Sequence, residues 1–96
     1  MSVLMEFCIF SISGEVSKSA EVAKVLKKLK RKNIAYELNP MGTCVECKSM
    51  KKALKVLKMA SKCFDAQRFY ITAKFDCYEG RQGALKSKLK AVEEKL

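Results

Sequence analysis

The chain contains few side chains that could carry out a reaction at neutral pH. It has no histidine, which excludes Ser/His and Cys/His catalytic pairs. It has five cysteines, and two of them have the spacing Cys44-Val-Glu-Cys47. A redox-active pair with this spacing needs a helix N-terminus, where the helix dipole lowers the pKa of a thiol. A structural zinc site would need two further ligands.

The segment around Cys44 and Cys47 is predicted to be a strand instead. Thr43 and Val45 are residue types that favour strands, and positions three apart on a strand point to opposite faces. The two sulfur atoms would therefore diverge, so we expect packed thiols, no metal and no cofactor. The remaining cysteines form no second pair of this spacing: Cys8, Cys63 and Cys77.

Carboxylates are the other groups that could do acid–base chemistry. Glu6 and Glu46 would be a candidate pair if the fold brought them together. Strongly perturbed carboxylate pairs are uncommon outside active sites. The favoured interpretation is therefore that these two glutamates are ordinary carboxylates on the sheet. No nucleophile has a visible base, and we therefore expect a binding protein, not an enzyme.

Hydrophobic periodicity predicts four strands and three helices in one domain spanning residues 1–96. The strands are expected at 3–12, 34–39, 43–47 and 68–78, and the helices at 17–32, 49–64 and 84–96. Ser17 is a candidate N-cap for the first helix, and Asn33 is a candidate for the residue that ends it. The order β-α-β-β-α-β followed by a helix predicts an α+β, ferredoxin-like sandwich with an extra C-terminal helix.

Side-chain alternation then predicts which residues face away from the first two helices. In the fourth strand, the apolar side that must face the helices carries Phe69, Ile71, Ala73 and Phe75. The opposite face would carry acids with aromatic and apolar residues among them: Glu6, Glu37, Glu46 and Asp76 beside Lys74, with Phe10, Ile12 and Tyr70. Such a mixture suits a partner surface or a cationic aromatic ligand.

The stretch YELNPMGT at 36–43, followed by a hydrophobic residue, Val45 and Glu46, resembles the signature of the small thiamine-binding protein family, the YkoF-type domains and their single-domain relatives. The flanking strands and helices agree with that family over nearly the whole chain. The resemblance implies a ferredoxin-like fold, dimers or tetramers formed through the sheets, and non-catalytic binding of thiamine or its hydroxymethylpyrimidine precursor.

Five residues of the predicted outer face and turn are the candidates for ligand binding. The carboxylates would contact a cationic ring, and the polar groups would orient the ligand. They are Glu6, Asn39, Thr43, Glu46 and Tyr70.

The net charge of +10, from 20 basic and 10 acidic residues, suits acidic partners or a solvated lysine-rich surface. An RNA-recognition domain stacks bases on aromatics of its two central strands, whereas the third strand here presents Cys44 and Glu46, so nucleic acid is disfavoured. Two alternatives to small-molecule binding stay open: a scaffold protein that assembles through its sheet, and an RNA-binding ferredoxin-like module.

The odd number of cysteines and the N-terminal sequence favour a reducing environment. Glu6 interrupts the first apolar run, which lacks a basic leader, so a signal peptide is not predicted. No segment reaches the roughly 20 apolar residues that a membrane span needs. We expect a soluble cytoplasmic protein without a membrane partner.

Overall fold

The computed structural model describes residues 2–11, 19–80 and 83–96. The elements, in chain order, are β1 (Ser2–Ser11), α1 (Ser19–Arg31), β2 (Ala35–Asn39), β3 (Gly42–Cys47), α2 (Met50–Ser61), β4 (Phe69–Tyr78) and α3 (Ala84–Glu93). The predicted number, type and order of elements are confirmed. The expectations for Ile12 and Ser17 fall outside the described residues.

The four strands form one antiparallel sheet in the order β2-β3-β1-β4. This is the ferredoxin-like arrangement, with β1 and β3 in the centre and β2 and β4 at the edges. A two-residue turn joins β2 to β3, and the Asn39 side chain stabilises it by accepting the backbone N–H of Met41 at 2.8 Å. Gly42 leads out of the turn, where a Cβ atom would lie 2.9 Å from the backbone oxygen of Phe7.

The hydrophobic core lies between the sheet and the helices α1 and α2, as the alternation predicts. Met5, Leu29 and Val45 are fully buried there. The core also contains alternate residues of β1 and one stripe of each helix: Val3, Phe7, Ile9, Val25, Ala53, Val56 and Ala60. Leu54 is half exposed, because the buried side of α2 is centred on Ala53, Val56 and Ala60.

The ends of both core helices are defined by local hydrogen bonds. Asn33 has a φ of 56°, and the N–H of Ile34 donates to the carbonyl of Leu29 at 3.0 Å. This is a Schellman ending with Asn33 in the left-handed position, as expected for a residue that terminates a helix. At the start of α2, the Ser49 hydroxyl accepts the N–H of Lys52 at 3.2 Å.

The third helix lies on the opposite side of the sheet from α1 and α2. Lys88 of α3 forms a 2.7 Å ion pair with Asp76 of β4, and Leu4 of β1 is buried on that side. The helix ends at Glu93, three residues before the predicted end. Among the described residues, no helix has the length and apolar content needed to cross a membrane.

Candidate functional site

The sheet face opposite α1 and α2, called the outer face below, carries a row of polar side chains in cross-strand register. Glu6 of β1 lies opposite Cys44 of β3, and Cys44 lies opposite Glu37 of β2. On its other side, Glu6 lies opposite Lys74 of β4. Directly opposite residues have Cβ atoms about 4.5–5.5 Å apart, so two carboxylates flank one thiol. We call Glu37, Cys44 and Glu6 the carboxylate row.

The surroundings of Cys44 keep its thiol protonated. Burial raises the pKa of Cys44 above its ordinary value, and the negative charges of Glu6 and Glu37 raise it further, against an opposing effect of Lys88. A thiolate nucleophile is therefore disfavoured at this position. Two carboxylates flank this neutral centre, with Lys74 on the far side of Glu6, so the row offers acidic groups that could contact a cation.

An aromatic pair lies farther along the same face. Phe10 and Tyr70 are opposite one another in the β1–β4 register, with ring centroids 5.6 Å apart and planes tilted by 33°. Arg68 donates from Nη2 to the Tyr70 hydroxyl at 2.8 Å. Both rings remain about 40% exposed, at 39% for Phe10 and 41% for Tyr70, so they can still contact a ligand or a partner. Phe10 is four residues, or about 13 Å, from Glu6 along the strand.

Glu46, another candidate ligand residue, is used by the fold itself. Its Oε2 accepts the N–H of Ala84 at 2.9 Å, and its Oε1 accepts the N–H of Leu85 at 3.2 Å. The Ser2 hydroxyl donates to Oε2 at 2.6 Å. Glu46 therefore caps the N-terminus of α3, where Gly83 offers no side-chain cap.

The remaining two candidates lie away from the carboxylate row. Asn39 is exposed at the end of β2, where its side chain is bonded into the turn. Thr43 is buried on the helix side of β3, opposite Phe7, and does not reach the outer face. Of the five candidates, the structure therefore places Glu6 and Tyr70 on the exposed part of the outer face.

Glu37 is not among the five candidates, although alternation already places it on this face. The missing information was the strand register, which puts Glu37 and Glu6 on either side of Cys44. Glu37 is exposed at the edge strand β2, so it is accessible to a ligand.

The predicted divergence of Cys44 and Cys47 is confirmed. Cys44 lies on the outer face, whereas Cys47 is 8% exposed in the core. Burial raises the pKa of Cys47, with Glu46 contributing further. All five cysteines are unpaired thiols. In the described ranges, no group of three His, Cys, Asp or Glu residues is placed to hold a metal ion.

A groove of about 290 Å³ lies beside the β2–β3 turn and reaches Phe10 of the aromatic pair. Its apolar walls come from β2, the turn, α1 and β1: Leu38, Pro40, Met41, Val22 and Phe10. The volume is close to the lower end of the range for small-molecule sites. Most of its lining belongs to the helix side of the sheet, including Phe7, Ile9 and Phe64, so the groove opens towards α1 and not onto the outer face.

Comparisons with known proteins agree with this architecture. A hypothetical protein from Methanocaldococcus jannascii superposes with a TM-score of 0.81 at 29% identity, over 97% of each chain. A Thermotoga maritima protein provisionally assigned to thiamine biosynthesis or salvage has a TM-score of 0.73 at 16% identity, over 94% of this chain and 99% of that one. At that identity, the second likeness shows the fold alone.

Sequence comparisons identify the family to which the chain belongs. A UPF0045 protein of Methanothermobacter thermautotrophicus is 30% identical over 83 residues, which are 83% of this chain and 84% of that protein. The family model described as thiamine-binding protein matches residues 5–93. This match covers nearly the whole chain, including the turn sequence at 36–43 that carries the resemblance. The chain therefore belongs to the thiamine-binding protein family.

Proposed function

We propose that the protein binds thiamine, or its hydroxymethylpyrimidine precursor, without changing it chemically. Family membership indicates a small-molecule binding role. The observation that carries the more specific proposal is the carboxylate row, in which Glu6 and Glu37 flank the protonated thiol of Cys44. The thiazolium ring of thiamine has a permanent positive charge, which such a row would attract.

The rest of the outer face suits the second ring of such a ligand. Between the carboxylate row and the aromatic pair, Cys8 and Thr72 occupy opposite positions and have small side chains. A flat pyrimidine could therefore extend along β1 towards Phe10 and Tyr70, which provide stacking surface. In this arrangement Glu6 and Glu37 would favour a positively charged ring, and Phe10 and Tyr70 would favour a flat one.

Binding without chemical change is supported by the groups that the row contains. A serine or cysteine nucleophile activated by histidine is not available, because the chain has no histidine. The Cys44 thiol, whose pKa is raised, is a poor nucleophile at neutral pH. The row is therefore suited to holding a cation. The unpaired thiols also suit a reducing, cytoplasmic setting.

A homodimer or homotetramer would complete the site. In the single chain, the carboxylate row and the aromatic pair form an open surface, whereas small-molecule sites bury most of their ligand. A second subunit packed on the outer face would enclose the ligand and cover the exposed rings of Phe10, Tyr70 and Tyr78. We therefore propose binding between subunits.

Calorimetric titration of the purified protein with thiamine and with hydroxymethylpyrimidine tests the proposal. The molar mass in solution, measured by light scattering with and without ligand, tests the assembly. We expect saturable heat with at least one of the two compounds and a mass of two or four subunits. No heat or saturation at millimolar concentrations of both compounds would reject the ligand assignment.

The second candidate function is assembly alone, as a scaffold. It is favoured by the apolar side chains that α3 leaves exposed, Leu89 at 53% and Val92 at 61%. A scaffold would form a stable oligomer and retain a specific protein partner while ignoring both compounds. An oligomer that binds thiamine would rule out assembly as the sole function.

A further inference from the structure

A second concave site lies at the end of the molecule where α1 stops and α2 begins. It is a cleft of about 1000 Å³ that also reaches Gly83, next to the start of α3. Four lysines from the end of α1, the β3–α2 connection and α2 line it: Lys32, Lys48, Lys52 and Lys55. None of the carboxylate row residues lines this cleft, so it is distinct from the proposed thiamine site.

The positive charge of the cleft is not neutralised by the residues that line it. Among the described lining residues, Glu46 is the only acid, and both its oxygens are engaged in capping α3. The ion pairs found in the described ranges, Lys88 with Asp76 and Lys90 with Glu94, involve none of the four lysines. An anion entering the cleft would therefore meet ammonium groups without having to displace a carboxylate.

The position of the lysines on α2 concentrates this charge. Lys52 and Lys55 are three residues apart and therefore share one face of the helix, where like charges repel. They lie near the N-terminus of α2, whose first turn contains no acid and whose dipole is positive. A bound anion would relieve the repulsion between the lysines.

The cleft also has an apolar wall. Ile34, Val56 and Met59 line it alongside the lysines. The described residues that line it include no aromatic side chain, which a site for stacking nucleic-acid bases would need. Its volume is at the upper end of the range for small-molecule pockets. These features favour a compact organic anion over a polynucleotide.

We propose that this cleft binds a small molecule that carries two linked phosphate groups. Among the described residues that line it, four lysines and one carboxylate leave a net charge of +3. A single phosphate monoester carries about −1.5 to −2 at pH 7, so a diphosphate matches this charge better than a single phosphate does. The lysines contact the phosphates, and the apolar wall contacts the organic part of the ligand.

Calorimetric titration with inorganic pyrophosphate, at about 0.15 M salt to screen diffuse surface charge, tests the proposal. The test variant is Lys52→Gln/Lys55→Gln, in the cleft. The control is Lys51→Gln/Lys58→Gln, which removes two exposed lysines from the same helix that do not line the cleft. We expect saturable binding that weakens about tenfold or more in the test variant and changes less than about twofold in the control.

Amide chemical shifts in a ¹⁵N-labelled sample should locate the binding at residues 48–55. Inorganic phosphate should bind more weakly than pyrophosphate. The proposal is overturned if pyrophosphate does not saturate, if both double variants lose affinity equally, or if phosphate binds as tightly as pyrophosphate. Thiamine titrated into the Lys52→Gln/Lys55→Gln variant should bind as it does to the unmodified protein, which keeps the two sites experimentally separate.

Discussion

The carboxylate of Glu46 accepts the backbone N–H of Ala84 at 2.9 Å, across 38 residues of chain. The same carboxylate accepts the N–H of Leu85. Gly83, at the N-cap position, has a φ of 66° and no side chain to perform this role. The central strand β3 thus supplies the N-terminal cap of α3. This contact fixes the start of α3 to the outer face.

Removing this cap should loosen α3. Replacing Glu46 by Ala leaves two N–H groups without their acceptor, and we expect a loss of about 1–3 kcal/mol in the free energy of unfolding. Urea denaturation followed by circular dichroism measures the loss, and hydrogen exchange at Ala84 and Leu85 locates it. Glu93→Ala, at the exposed end of α3, is the control and should change stability by less than about 0.5 kcal/mol. Unchanged protection of Ala84 and Leu85 in the Glu46 variant would contradict the capping role.

The proposed ligand site predicts that charge and ring recognition can be separated. Glu6→Gln removes one negative charge from the carboxylate row, so thiamine should bind about tenfold more weakly. Hydroxymethylpyrimidine lacks the thiazolium ring and should lose much less affinity. Calorimetry with both compounds measures the difference, and Glu93→Gln controls for net charge.

Removing a ring of the aromatic pair should weaken the binding of both compounds, unlike removing the charge of Glu6. Tyr70→Leu removes the ring that packs against Phe10 and should weaken both compounds. If Glu6→Gln and Tyr70→Leu leave thiamine binding intact, the ligand lies elsewhere on the protein.

The thiol of Cys44 should react slowly with alkylating agents. Because its pKa is raised by burial and by Glu6 and Glu37, little thiolate is present at pH 8. Iodoacetamide labelling, followed by peptide mass spectrometry, should modify exposed Cys77 well before Cys44. The double variant Glu6→Gln/Glu37→Gln should speed the labelling of Cys44, since two charges that oppose ionisation are removed. An unchanged rate would show that burial alone protects the thiol.

The same pKa shift predicts how stability depends on pH. A thiol whose pKa is higher in the folded than in the unfolded protein stabilises the fold below the ordinary thiol pKa of about 8.5. That contribution is lost as the pH rises through the folded-state pKa. Cys44→Ala should therefore show a smaller decline in unfolding free energy between neutral and alkaline pH. An equal decline in both proteins would contradict the shift.

At position 33, replacement by glycine should be less destabilising than replacement by alanine. Its φ of 56° places it in the left-handed region, where a Cβ atom costs roughly 1–2 kcal/mol in most residues. Asn33→Ala should lower the unfolding free energy by about 1 kcal/mol, and Asn33→Gly should match or exceed the unmodified protein. Thermal denaturation of the three proteins measures the order. Equal stability of the alanine and glycine variants would contradict the left-handed helix ending.

The sequence was sufficient for the fold because the signals are local. Alternation in β1 and β3 identifies the buried side of the sheet, and Asn33 after a lysine-rich helix marks where α1 ends. The role of Glu46 could not be predicted in this way. Its partner, the N-terminus of α3, is distant in sequence and reaches it only through the tertiary fold.

The proposed ligand site on the outer face could be predicted from the sequence only in part, and the lysine cleft not at all. The reasons are related. Pairing Glu37 with Glu6 requires the register of three strands, which alternation alone leaves undetermined. The lysine cleft requires the end of α1 and the start of α2 to converge. Lys32 and Lys55 are each unremarkable in the sequence, since exposed lysines are common on helices.

The protonated state of Cys44 has a consequence for oxidative conditions. Peroxides oxidise the thiolate form of cysteine, and a thiol held neutral by burial and flanking acids is a slow target. A sulfenic or sulfinic acid at this position would place a new polar group in the middle of the carboxylate row. Burial, Glu6 and Glu37 all disfavour ionisation of Cys44, so we expect them to slow the oxidation that would alter this surface.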